Sequence, residues 1–550
     1  MQKKYLNCEM LYEDGIRNLN RVVKLKDGSL FTLANISKNL QRMDCYPKRQ
    51  FVFGRRSFDG GKTWTMPDPL FEIPELKAWA GVLEFMISRS GYLHVFLSRI
   101  KIYDWKNNVF KGDILHARMD DITGKNLIIK KVECLDRYTG SLNNLIQLKS
   151  GRLVVPFSTL RDGENSFVSS TIYSDDEGIT WKASNDIEVI SDETKIESGA
   201  VEPVVAEIGG NMLVMLIRTV LGSFYYSISY NGGESWTSSR KTNIKSSNAP
   251  AVLEKLNDGR ILIVWNNCYG LPMHGVRYSF ARQCLHAAIS DDNLKTLRGC
   301  RTIVKKEAGD PDGVLNCYPF SSIAGDSEVY IRFFISEYGE GCDEPNGKLI
   351  KMPVDFLYET EKREDFRDGF NDWVTDGRNT FLTECEGKNA LCVKATEDEI
   401  GYAMLNFPYG REGRIRLSFK AGADFREAKL ILTDTYLDKA SFEKSEMLDK
   451  YNEIVKDSFI EISILADDSI MDGFAAGKDN TGVLDISWDA EKGTVLTGCN
   501  GKVKEEKIPR NFGGFNYAGI ILPYGKGQEF MIKGIKEKSV KAWKVTGIEY

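Results

Sequence analysis

Short runs of Val, Ile, Leu, Phe and Tyr alternate along the chain with clusters of Gly, Asn, Asp and Ser, a pattern that predicts many strands and few helices. One phrase recurs six times: apolar residues, a glycine-containing turn, then a strand apolar on both faces. The copies are VVKLKDGSLFTL around Gly28, FMISRSGYLHVFL around Gly91, LIQLKSGRLVVPF around Gly151, VVAEIGGNMLVMLI around Gly210, VLEKLNDGRILIVW around Gly259 and SSIAGDSEVYIRFF around Gly325. Glycine supplies the positive φ that a tight hairpin needs, and a strand apolar on both faces has to be buried between neighbours. Spacings of roughly 50 to 65 residues leave room for one four-stranded blade per copy. Hairpin units that cannot bury their faces alone, but can stack radially, predict a six-bladed β-propeller.

A second pattern, S-x-D-x-G-x-T-W, occurs three times: Ser57, Asp59, Gly61, Thr63, Trp64; Ser174, Asp176, Gly178, Thr180, Trp181; and Ser229, Asn231, Gly233, Ser235, Trp236. The Asp or Asn side chain can bond to its own turn, glycine takes the left-handed position, and tryptophan plugs the underside, so a structural role is expected. A worn copy, Ser290, Asp292 and Thr296, lacks both the glycine and the tryptophan. After Asp355 the repeats stop, and the charged run from Glu359 to Asp368 reads as a linker. Beyond it, alternating segments such as GRIRLSFKAG, AKLILTD, FIEISIL and GVLDISWD predict a β-sandwich of jelly-roll or lectin-like kind. The expected domains are therefore 1–358 and 366–550, with the interval Leu437 to Asp457 read as a short helix or an excursion loop.

A formal charge of −5 over 550 residues gives no support to a nucleic-acid partner. No stretch of about 18 consecutive apolar residues suggests a membrane span. The start of the sequence lacks the apolar run of a secretory signal, so the chain as given is expected in the cytoplasm. Eleven cysteines without C-x-x-C pairs argue for reduced thiols and against a zinc site. His94, His116, His274 and His286 show no ligand spacing; neither a metal nor a cofactor is expected.

In a propeller the innermost strands and the loops leaving them converge on one pocket, which makes Arg17, just before the first phrase, and Asp44, in the loop after it, candidates for chemistry. Over residues 12 to 355 the order of features resembles the exo-sialidase (neuraminidase) family with its Asp-box, or BNR, repeats. An arginine precedes the first strand, an aspartate sits upstream of RRSFDGGKTW, and GAVEPVVAEI runs into NMLVMLIRTVLG and ISYNGGESW. The resemblance implies catalytic Asp44, Glu202 and Tyr318 and a substrate clamp of Arg17, Arg218 and Arg282. Rivals are Arg21 for Arg17, Arg277 for Arg282 and Tyr338 for Tyr318. The usual Arg-Ile-Pro near the start reads Arg-Asn-Leu-Asn here.

Those residue types suit one chemistry. Three guanidinium groups bind a carboxylate on an anomeric carbon, and that negative charge disfavours a carboxylate nucleophile, leaving a tyrosine oxygen deprotonated by Glu202. Asp44 would protonate the leaving oxygen and later activate water, giving hydrolysis with retention. The expected partner is a glycan bearing sialic or a related nonulosonic acid. The alternatives are a hydrolase or lyase of the same fold acting on another glycan, and a non-catalytic glycan-binding propeller.

Overall fold

The structure is a computed structural model that describes residues 5–12, 21–35, 51–73, 79–104, 109–135, 137, 139–160, 166–190, 198–269, 281–307, 310, 314–323, 327–337, 346–443, 459–466, 473–508, 512–545 and 548. The chain is all-β, as the pattern of apolar runs predicts. Packing divides it into two units, one of residues 8–266, 317–353 and 547–550, the other of residues 1–7, 267–316 and 354–546.

Within the first unit, four antiparallel meanders follow one another. The first sheet runs Val22–Lys24, Leu30–Asn35, Phe51–Ser57, Asp68–Glu72, and the second Trp79–Ile87, Leu93–Asp104, Val109–Met119, Ile128–Lys131. The third is built on Thr139–Leu142, Leu153–Leu160, Ser166–Ser174 and Lys182–Ala183, the fourth on Val201–Gly209, Met212–Arg218, Ser223–Ser229 and Arg240–Lys245. The hairpin Val252–Lys255 with Ile261–Trp265 follows. The last sheet of this unit orders Glu9–Tyr12, Asn346–Pro353, Glu328–Glu337 and Val314–Ile323, so its outer strand comes from the opposite end of the sequence. This is the blade-by-blade meander order that the six phrases predict for a propeller.

Contacts step from each first strand to the next. Arg21 reaches Glu84, Asn144 bonds Val205 in both directions, Lys255 Nζ donates to the Glu207 carbonyl at 2.6 Å, and Ser321 donates to Glu254 at 3.2 Å. Ser322 Oγ then donates to the Val22 carbonyl and returns the series to its start. Between the second and third sheets the link is apolar, with Phe96, Leu83 and Met86 against Leu142, Leu145 and Leu153.

The S-x-D-x-G-x-T-W turns close as their residue types require. In the third sheet Asp176 accepts from Ser174 Oγ (2.8 Å), the Thr180 amide (2.9 Å) and Thr180 Oγ1 (2.6 Å). Trp64 Nε1 donates to the Gly61 carbonyl of its own turn at 3.1 Å, whereas Trp236 Nε1 reaches a neighbour, donating to Thr171 Oγ1 of the third sheet at 2.9 Å. The worn copy keeps the whole network, with Ser290 to Asp292 at 2.9 Å and the Thr296 amide to Asp292 at 2.8 Å. Leu294 occupies the glycine position at φ 71°, and its side chain is fully buried.

The second unit holds a sandwich. Its larger sheet is ordered Thr380–Cys385, Lys388–Ala395, Gln528–Val540, Glu412–Ala421, Thr481–Asp489, Thr494–Cys499, Lys502–Lys507; its smaller is ordered Trp373–Thr375, Gly401–Gly410, Phe515–Leu522, Glu427–Thr433, Ile460–Leu465, Phe474–Ala475. Leu391, Leu417 and Phe530 of the first meet Leu405, Leu430 and Ile520 of the second. Every residue of Gly401–Gly410 is buried, because the other face of the smaller sheet is covered as well. The cover comes from residues 267–316: Cys268, Ala281 and Cys284 pack on Tyr402, Met404, Ile431 and Tyr517. Cys268–Tyr269 pairs in parallel with Tyr436–Leu437, and Thr302 bonds the Tyr517 hydroxyl at 2.6 Å.

Two local readings change. Part of the charged run expected as a linker is a strand, Glu361–Glu364, paired with Gln528–Val540; Lys362 is held there between Glu364 and Asp372, which satisfies its charge at an inward position. In the interval 437–457 the described part is a single turn, Lys439–Phe442, capped by Asp438 on the Lys439 amide at 2.8 Å. Asp438 supplies that cap because its carboxylate takes the first amide the turn leaves unpaired.

Candidate functional site

Of the residues expected at the site, Arg17 and Asp44 lie outside the described residues, as do the rivals Arg277 and Tyr338. Glu202 and Arg218 are brought together. Val201 opposes Arg218 across the fourth sheet's first hairpin, and the register shifts between Val201 and Val204. That bulge puts Glu202 at φ 41°, in the left-handed region that a side chain enters only when its surroundings hold it there. Its amide donates to Ser158 Oγ of the third sheet at 3.2 Å, and its carboxylate accepts from Arg218 Nη1. Arg218, 3% exposed at the end of a strand apolar on both faces, also donates through Nε to Asn248 Oδ1 at 2.6 Å. An arginine buried among Leu216, Ile217 and Val201 needs such partners, since an unpaired charge there would cost several kcal/mol, on the order of 3–5.

Tyr318 lies on the strand Val314–Ile323, partly buried, at φ 52°. Two residues expected in catalysis, Glu202 and Tyr318, thus share a backbone conformation rare for side-chain-bearing residues. Arg282 is buried in the other unit, where its carbonyl accepts from the Asn316 amide at 2.8 Å.

A second charged group was not expected. Arg21, which the sequence offers only as a rival to Arg17, is buried with its Nη2 3.5 Å from Glu84 Oε2. Glu84, 1% exposed, accepts from the Phe85 amide at 2.8 Å. Burial pushes its carboxyl up to about 7, against the pull of Arg21 and that amide. Glu254, partly exposed and bonded by Ser321, is raised too by burial, with Arg21 again opposing. Near neutral pH this cluster therefore retains a proton that exposed carboxylates would have lost.

The repeat itself carries the signal for these residues. Counting seven positions back from the turn glycines Gly28, Gly91, Gly151 and Gly325 gives Arg21, Glu84, Asn144 and Tyr318, and eight back from Gly210 gives Glu202, the extra residue being the bulge. Five of the six phrases thus carry a polar residue at this offset; the phrase at Gly259 has Val252 there. Among the described residues no cluster of His, Cys, Asp and Glu is placed to hold a metal ion.

Residues 139–331 match the family model described as a BNR repeat-like domain. The match covers about a third of the chain. The match takes in the third and fourth sheets with their Asp boxes and so includes Glu202, Arg218, Arg282 and Tyr318. Among curated proteins, none matches this chain. Solved structures similar to it include a Dyadobacter fermentans protein of unknown function, at 17% identity over 64% of this chain and 98% of that one, TM-score 0.46. The Hadza microbial sialidase Hz136 has 17% identity over 62% and 69%, TM-score 0.45, and the Trypanosoma rangeli sialidase 10% over 98% and 95%, TM-score 0.43.

Proposed function

We propose that this protein is a glycoside hydrolase of sialidase type, releasing terminal α-linked sialic acid or a related nonulosonic acid from glycans with retention. The observation that carries the reading is the Glu202–Arg218 pair, fixed by Asn248 and Ser158 at the end of an apolar hairpin. A buried guanidinium with one carboxylate and one amide oxygen on it is a rigid fork, suited to adding a substrate carboxylate. Arg17 and Arg282 complete the clamp in this proposal. Glu202 then serves twice, gripping Arg218 and taking the phenolic proton as Tyr318 attacks the anomeric carbon. Asp44 protonates the departing oxygen, and in the second step deprotonates the water that breaks the tyrosyl–sugar bond. The partner is an acidic glycan; the proposal needs no cofactor.

The test is release of a fluorogenic leaving group from an α-sialoside by the full chain. Turnover is expected, with kcat/KM lowered at least tenfold in Arg218→Lys, because a lysine cannot hold Glu202, Asn248 and a carboxylate in one plane. An intact fold with no turnover between pH 4 and 9 would overturn the proposal.

A further inference from the structure

His94, at the start of the strand Leu93–Asp104, and His116, on Val109–Met119, are buried between the second and third sheets. Their rings are nearly parallel, centroids 5.3 Å apart, with His94 Nδ1 3.1 Å from His116 Nε2. Glu177 Oε2 stands 3.4 Å from His94 Nε2 at one end, and Trp181 Nε1 stands 3.4 Å from His116 Nδ1 at the other. Glu177 and Trp181 both belong to the third sheet's Asp-box hairpin. A Cβ on Gly178 would fall 2.5 Å from His116 Cε1, so the hairpin is seated directly on the imidazoles.

The end groups fix every proton in this row. An indole nitrogen can only donate, so His116 Nδ1 accepts and the His116 proton lies on Nε2. That proton is given to His94 Nδ1, which leaves the His94 proton on Nε2, facing the Glu177 carboxylate. Add one proton to either ring and two N–H groups face each other, at the imidazole contact or at the indole contact, whichever tautomers are chosen. With the hairpin seated the row therefore resists a further proton, although the Gly178 backbone favours one on His116.

We propose that these four side chains form a pH-gated latch, which holds the hairpin of residues 174–181 on the second sheet while both imidazoles are neutral and lets go in acid. The charged groups around it are few. Glu177, held by Ser90 Oγ at 2.7 Å and Gln147 Nε2 at 3.5 Å, favours a proton on His94. Arg118, stacked 3.7 Å from the Tyr92 ring centroid, opposes one on either ring, and Lys130, opposite His116 on the next strand, is exposed. Burial is the largest influence and pushes His94 down to about 4 and His116 to about 3. Both lie below the ordinary value of about 6.5, so the latch's contribution is complete above that pH and is lost as pH falls from there to about 4.

The chain has four histidines, which makes their ring protons a direct readout by NMR. In the full-length protein two imidazoles should resist protonation down to about pH 5. Trp181→Phe removes the terminal donor, lets His116 Nδ1 hold a proton, and should raise at least one midpoint by about one pH unit or more. Should that variant fold poorly, hydrogen exchange in the wild type decides the matter. Amides of 174–181 should open between pH 6 and 4, relative to the boxes at 57–64 and 229–236, which have no histidine beneath them among the described residues. All four imidazoles titrating near 6.5, midpoints unmoved by Trp181→Phe, or three boxes opening alike would each overturn the latch.

Discussion

Glu84 shows what burial does to an acid with one distant cation for company. With Arg21 3.5 Å away and a single amide bonded to it, its carboxyl still holds a proton up to about pH 7. Because the folded value lies above the ordinary one of about 4.5, its contribution to stability is present in acid and declines as pH rises from there to about 7. The loss is on the order of 3 kcal/mol. Glu84→Gln should remove that slope, so the urea midpoints of variant and wild type should differ in their change between pH 5 and pH 8. Equal changes would mean that Glu84 does not titrate in this window. His94 and His116 have the opposite sign over an overlapping range, so the two effects oppose each other between about pH 4.5 and 6.5.

At the scale of an element, the Asp-box turn depends on its aspartate more than on its glycine. Leu294 takes the left-handed position in the worn box, at a strain of about 1 kcal/mol, and buries an apolar side chain there in return. Asp292 keeps three bonds from its two neighbours, as Asp176 does in an intact box. Asp292→Ala should therefore destabilise the protein about as much as Asp176→Ala, by roughly 1–3 kcal/mol in chemical denaturation, since each leaves an amide and two hydroxyls without their acceptor. A neutral Asp292→Ala would show that the worn copy has become an ordinary loop. The sequence signals for these turns are local, which is why they are legible: serine, aspartate and threonine at fixed offsets make bonds only within eight residues.

At the scale of the molecule, the six phrases and the alternating C-terminal segments are enough to predict blades and a sandwich. They do not say that residues 267–316 cover one face of the smaller sandwich sheet. A fragment of residues 354–546 alone would expose Tyr402, Met404, Ile431, Tyr517 and Ile521, a contiguous apolar face. It should be recovered aggregated or bind a hydrophobic dye strongly, whereas the full chain should not; a soluble, monomeric, dye-silent fragment would contradict the packing described here.

What the chain order alone determined is whatever rests on neighbours in sequence: strand alternation, turn glycines, the Asp boxes, and the shared offset of Arg21, Glu84, Asn144 and Tyr318 from their turn glycines. What only the tertiary structure decided is which charges meet. The Glu202–Arg218 pair, the proton kept by Glu84 and the His94–His116 row each join strands or sheets distant in sequence, and their energies come from desolvation, which exists only once the chain has closed around them.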